Sequence, residues 1–180
     1  MKRLLFILIT ALLLLTACRA SAPQSSYVSA MEPVVGQLAR WQIHFGDFET
    51  RLTAPGASPS GMSLAEMIDF YNMATQYQIT REDYANMGFS PLDLLVGDAN
   101  KFAKEGRGIQ DLLTAATPDE DIKAVHEAVL SCVKTRVAFA EGISSSIRDL
   151  VPVDMSGDVS VCDNFDTDLQ KLTDYVKANQ

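Results

Sequence analysis

Two histidines and three cysteines in the whole chain leave little equipment for metal or redox chemistry. No Cys-x-x-Cys pair occurs, which excludes a thioredoxin-type site, and no Cys-x-x-Cys-His occurs, which excludes covalent haem attachment. The Glu-x-x-His motif that builds metal sites between facing bundle helices is also missing. Gly106-Arg107-Gly108 lacks the lysine of a phosphate loop. Ser144-Ser145-Ser146 follows Gly142 without the strand-turn-helix setting of a nucleophile elbow. Asp119-Glu120-Asp121 and Asp163, Asp166 and Asp168 lack the ligand order and glycine of a calcium loop. They fall early in predicted helices, where negative charge suits the backbone dipole. Positive charge is scarce, with 15 Lys and Arg against 23 Asp and Glu and a formal net charge of -8. An acidic chain repels phosphate backbones, so no nucleic-acid partner is expected. There is no internal repeat and no convincing strand; Val159-Ser160-Val161 alternates but is too short to stand alone.

What is present begins at the N-terminus. Lys2 and Arg3 precede an apolar run from Leu4 to Leu15, uncharged throughout and with Thr10 as its one polar residue, which leads into Leu15-Thr16-Ala17-Cys18. The stretch from Leu4 to Ala17 makes about 21 Å of helix, short of the roughly 20 residues that a bilayer core requires. It resembles a bacterial lipoprotein signal peptide ending in a lipobox. The resemblance implies cleavage before Cys18, a diacylglyceryl group on its thiol, and acylation of the new amine. Two or three acyl chains anchor firmly where one binds only reversibly. The alternatives are an ordinary secretory signal and an uncleaved anchor. Residues 1–17 are thus expected to be a leader and 18–26 a lipidated tether, with 27–180 a single domain on the outer face of a bacterial membrane. Loss of Lys2 and Arg3 makes the mature chain two charges more negative.

The rest of the chain reads as helices. Met31, Val34, Leu38, Trp41, Phe45, Phe48 and Leu52 recur three and four apart, predicting a helix over about Val28–Leu52. Pro33 is tolerated near its start and disruptive if the helix begins earlier. Thr53 to Gly61 is a loop. Ser63 with Glu66 forms a capping box, and Thr80 with Asp83 suggests a second, stapled by Ile79 and Tyr84 and ended by Gly88. Ser90-Pro91 predicts the next start, with Gly106 as its end and one or two further turns over Ile109–Ala115. Thr117-Pro118-Asp119-Glu120 is the strongest start signal, opening a helix that can reach Leu150. Val151 to Val161 reads as extended, and a last helix carries Cys162, Phe165, Leu169, Leu172 and Val176. The expected fold is all-α: an antiparallel bundle of three long helices (the first, the one from Pro118 and the last) and two or three short ones.

Cys132 and Cys162 remain after lipidation, and an even pair outside the cytoplasm is expected to form a disulfide; two buried free thiols are the alternative. A disulfide needs Cα atoms within about 7 Å. If the helix runs unbroken to Leu150, Cys132 lies about 27 Å from its end. Residues 151–161 must then double back in extended form, which their reach of about 36 Å permits.

Few residues stand out as a site. His44 shares a helix face with Asp47, and His126 adjoins Glu127; both histidines read as half-exposed flank residues and only weakly as metal ligands. Met31, Met67 and Met73 read as core filler, and Met31 with His126 only loosely imitates a noncovalent haem pair. No cofactor and no catalytic residue is expected. Trp41, Phe45, Phe48 and Tyr71 are the weak candidates for an apolar groove between the first helix and the short ones, with plain core as the simpler reading. The functional expectation is a non-enzymatic, membrane-tethered module that binds or scaffolds an envelope protein. The alternative is a small-ligand or metal carrier.

Overall fold

The computed structural model describes residues 25–56, 61–155 and 160–180. The leader 1–17, the lipidation site Cys18 and the tether up to residue 24 lie outside them. The fold is all-α, as the periodicity predicts. Six helices are described: α1 Ser26–Thr53, α2 Leu64–Thr75, α3 Arg81–Asn86, α4 Pro91–Ala115, α5 Lys123–Asp149 and α6 Phe165–Ala178, with a 3₁₀ turn at Ser160–Cys162. There is no strand among the described residues.

Side-chain pairs fix the topology. His44 and Arg51 of α1 meet Glu105 and Asp98 of α4, so those helices are antiparallel. Arg107 and Asn100 of α4 meet Glu141 and Ser144 of α5. Tyr27 and Trp41 of α1 meet Tyr175 and Phe165 of α6. The result is an up-down-up-down bundle in which α1, α4, α5 and α6 are the staves. Its base gathers the start of α1, the end of α4, the start of α5 and the end of α6. The opposite end is capped by α2, α3 and the chain after α5.

α4 is therefore a fourth stave, and Gly106 does not end it. A Cβ there would lie 2.4 Å from a Val137 methyl and 2.8 Å from the Trp41 ring. The glycine lets α4 close onto α1 and α5. The start signal before α5 also acts differently from the prediction. The helix begins at Lys123 with no side-chain cap. Asp119 accepts instead from Ser25 Oγ at 2.9 Å and from the Tyr175 hydroxyl at 3.0 Å, joining the two ends of the bundle chain. Ser25 caps α1, so the last two tether residues belong to the fold. α1 continues through Pro33 on its exposed side, where the carbonyl that loses its helical donor can face water. Ser90 is itself helical and makes no cap bond, although Pro91 holds the first helical position.

Both capping boxes form, at Ser63/Glu66 and Thr80/Asp83. α3 ends in a Schellman motif. Gly88 has φ +80°, the Phe89 N–H reaches the Tyr84 carbonyl at 3.2 Å, and the Gly88 N–H reaches that of Ala85 at 3.1 Å.

α5 runs unbroken past Gly142 to Asp149. Cys132 and Cys162 are bonded, with Cα atoms 4.9 Å apart. Cys162 lies in the 3₁₀ turn before α6 and not in the last helix. The return is pinned by α2. Asn72 donates to the Val153 carbonyl at 2.8 Å and accepts from the Val153 N–H at 2.7 Å. Tyr71 donates to the carbonyls of Ser146 and Val151. Asn72→Ala removes both bonds to Val153 and is expected to cost about 2 kcal/mol, because the backbone groups of this buried residue lose their partners. Urea denaturation checks it, together with faster hydrogen exchange at the Val153 amide.

Candidate docking surface

The aromatic candidates are core residues, and this corrects the groove expectation. Trp41, Phe45, Phe48 and Tyr71 are all buried. Trp41 stacks on Phe102 at 4.5 Å between centroids and donates to its carbonyl; Phe45 and Phe48 pack on the same ring. Tyr71 sits edge-on to Tyr84 and Phe89, and burial pushes its hydroxyl up to about 12. Among the described residues, Arg136 is the one arginine or lysine buried in the core. Its guanidinium lies 3.9 Å from the Phe45 centroid and 4.7 Å from that of Phe165. It also donates to Gln42, while its Nε has no hydrogen-bond partner among the described residues. Burial lowers its pKa, opposed by Glu49 and Asp166. This cation–π clamp ties α1, α5 and α6 together.

The histidines are not brought together. His44 is half-exposed as expected and pairs with Glu105 at 2.9 Å. With Asp47 it lines a groove of only about 90 Å³ between α1 and α4, room for a few waters. His126 is only 3 % exposed, which corrects its reading as a flank residue. Its Nδ1 lies 3.0 Å from the Tyr27 hydroxyl, 17 residues or about 25 Å along α1 from His44. No group of three metal-ligating side chains forms among the described residues. Met31 and Met67 are core residues, but Met73 is exposed, against expectation.

His126 sits at the base. Its Nδ1 shares a hydrogen bond with the Tyr27 hydroxyl, and the Leu113 backbone acts to raise its proton affinity. Desolvation outweighs this backbone effect and the charge of Glu127 and lowers the His126 pKa. A group held below its ordinary value gives its full stability above about pH 6.5 and loses it as pH falls toward the folded-state value. Stability should therefore decline from pH 6.5 to 5, by at most about 1.4 kcal/mol per pH unit. Urea midpoints at pH 7.5 and 5 should show this slope, and His126→Gln should flatten it. The capping carboxylates Glu66 and Asp83, held below their ordinary 4.5 and 3.8 by their cap bonds, lose stability only in more acidic solution.

The opposite end carries a different surface. α2 turns Leu64, Met67, Ile68, Tyr71 and Ala74 inward. Its outer side leaves Phe70, Met73 and, just past its end, Tyr77 exposed by 44 %, 56 % and 84 %. These positions are three and four apart, a second apolar stripe that stays exposed among the described residues. Phe70 leans on Phe89 at 5.5 Å, and Met87, two residues before Phe89, is also exposed. Beside the start of α2 lies an apolar cleft of about 440 Å³ lined by Ala54, Pro55, Leu64, Leu94 and Leu95, with the Arg51–Asp98 ion pair at its rim. The stripe was legible in the sequence as Phe70-x-x-Met73-x-x-x-Tyr77, but the inward stripe of the same helix is stronger and masked it. No helix among the described residues is long and apolar enough to cross a membrane.

Comparison with protein-family models, curated proteins and solved structures returns no match.

Proposed function

We propose that this chain is a bacterial lipoprotein, anchored through acylated Cys18 to the outer face of a membrane, and that it binds or scaffolds an envelope protein without catalysing a reaction. The observation that supports this reading is the apolar stripe of Phe70, Met73 and Tyr77, exposed at the end of the bundle opposite Ser25. An acylated Cys18 holds the base of the bundle near the lipid. The tether from Cys18 to Ser25 reaches at most about 25 Å. The 28 residues of α1 rise about 42 Å from Ser26 to the end of the bundle that carries α2. That length lets the stripe stand clear of the headgroups, where a protein can meet it.

The test is Cys18→Ser. The variant should accumulate unprocessed and lose its acyl mass, its uncleaved apolar leader keeping it in the detergent phase. Its bundle should be intact, because Cys18 is not part of the Cys132–Cys162 bond. Unchanged processing and unchanged mass of the mature chain in the variant would refute lipidation at Cys18.

A carrier of small apolar ligands is the second reading, favoured by the 440 Å³ cleft, a volume typical of ligand sites. Native mass spectrometry of the full chain separates the two. Bound mass that is lost on Leu94→Glu, at an exposed position lining the cleft, favours the carrier.

A further inference from the structure

We infer that the outer face of α2 takes a cationic amphipathic segment of a protein partner, one that sets apolar side chains on Phe70, Met73 and Tyr77 and Lys or Arg against the acidic flank. The inference rests on the partner-binding reading above and names the chemistry of that partner.

Size comes first. Taking about 200 Å² for a fully exposed large side chain, the three residues leave on the order of 350 Å² of contiguous apolar surface. That is within the range of the largest patch on a typical monomer and about half of one side of a standard interface. A patch of this kind suits the groove side or helix side of a segment complex rather than an obligate dimer.

Charge selects the occupant. Residues 52–80 contain no Lys or Arg, and Glu66 and Asp69 stand exposed on the same side of α2 as the stripe. Residues 81–100 add Glu82, Asp83, Asp93 and Asp98 and a single cation, Arg81. Arg81 is committed inward: it donates to the carbonyls of Ile147 and Arg148 at the end of α5 and lies over the Tyr84 ring at 5.2 Å. The surface is thus apolar and acidic: of the cations around it, Arg81 is turned inward, Arg51 is paired with Asp98, and Arg148 donates to Ser144. A second copy of this chain is a poor occupant. A two-fold contact would set Glu66 and Asp69 against themselves, with no Lys or Arg on α2 to pair them. Anionic lipid heads are repelled for the same reason. A cationic apolar protein segment is complementary on both counts.

The test uses the full chain in its native membranes. A photo-crosslinking residue replaces Met73 or Tyr77, with Ile43 on α1 and Leu112 on α4 as exposed control positions. The captured segment is sequenced by mass spectrometry. The expected result is one protein segment of net positive charge captured from both α2 positions and not from the controls. Asp69→Lys, an exposed change outside the capping box, should cut the yield at least fivefold with the circular dichroism unchanged. Adducts to lipid, to a second copy, to a segment without net positive charge, or none at all from α2 would overturn the inference. The controls keep the two proposals apart. A partner captured only from Ile43 or Leu112 sinks the α2 surface and leaves partner binding standing, whereas no protein captured from any of the four positions sinks both.

Discussion

Gly106→Ala should destabilise the bundle by about 1–3 kcal/mol, although alanine is the better helix former by about 1 kcal/mol. The new methyl group would have to fit 2.4 Å from Val137 Cγ2 and 2.8 Å from Trp41 Cζ2. Neither neighbour yields easily. Val137 is β-branched and buried, and Trp41 is stacked on Phe102 with its indole N–H bonded to the Phe102 carbonyl. The control lies two residues away on the same helix. Gly108 is exposed and has open space around it, so Gly108→Ala should stabilise by about 0.5–1 kcal/mol. Opposite signs in urea or thermal denaturation are the signature of close packing. If Gly106→Ala stabilises as Gly108→Ala does, the packing role assigned to this glycine is wrong.

The second large effect is expected from the Cys132–Cys162 bond. Opening it frees a loop that spans a sequence separation of 30. By loop-closure entropy this costs about 3–4 kcal/mol, a model-dependent figure. The bond also holds the return after α5 next to the Arg136 clamp, one turn further along the same helix. The double variant Cys132→Ala/Cys162→Ala and the reduced wild type should share one urea midpoint, well below that of the oxidised protein. α6 should lose protection first in hydrogen exchange, because its seat depends on Phe165, Leu169, Leu172 and Val176 packing behind that bond. Equal midpoints for the oxidised and reduced protein would show that the bond adds nothing to stability.

The sequence made the helices legible and their punctuation less so. The inward stripe of α1 was readable because its seven apolar residues repeat at helical spacing, and all are buried. Both capping boxes were readable because each is a local bond between residues three apart. The doubling back after α5 followed from the expected disulfide together with the extended reading of Val151-Pro152-Val153; the alternative, a helix broken near Gly142, is not what forms. Gly106 misled because a glycine that ends a helix and one that admits a neighbouring indole look alike in one dimension. Asp119 misled for a related reason: its carboxylate is drawn away from the helix start by Ser25 and Tyr175, partners 94 and 56 residues distant. His126 was placed at the surface because Val125 beside it fits the apolar stripe, yet it is the histidine that the bundle buries. The outer stripe of α2 was hardest to see, because nothing in a pattern says which of two apolar faces meets the core.

The shared carboxylate of Asp119 has a practical corollary. Because Ser25 and Tyr175 both bond to its Oδ2, the first described helix begins where the last one ends. A fluorophore or affinity tag added after Gln180 would therefore sit beside the point where the tether leaves, and would report on the foot of the molecule rather than on its head. A short linker from Gln180 to Ser25 should also close the chain into a ring, so that new ends can be opened at an exposed turn with the helices still in place.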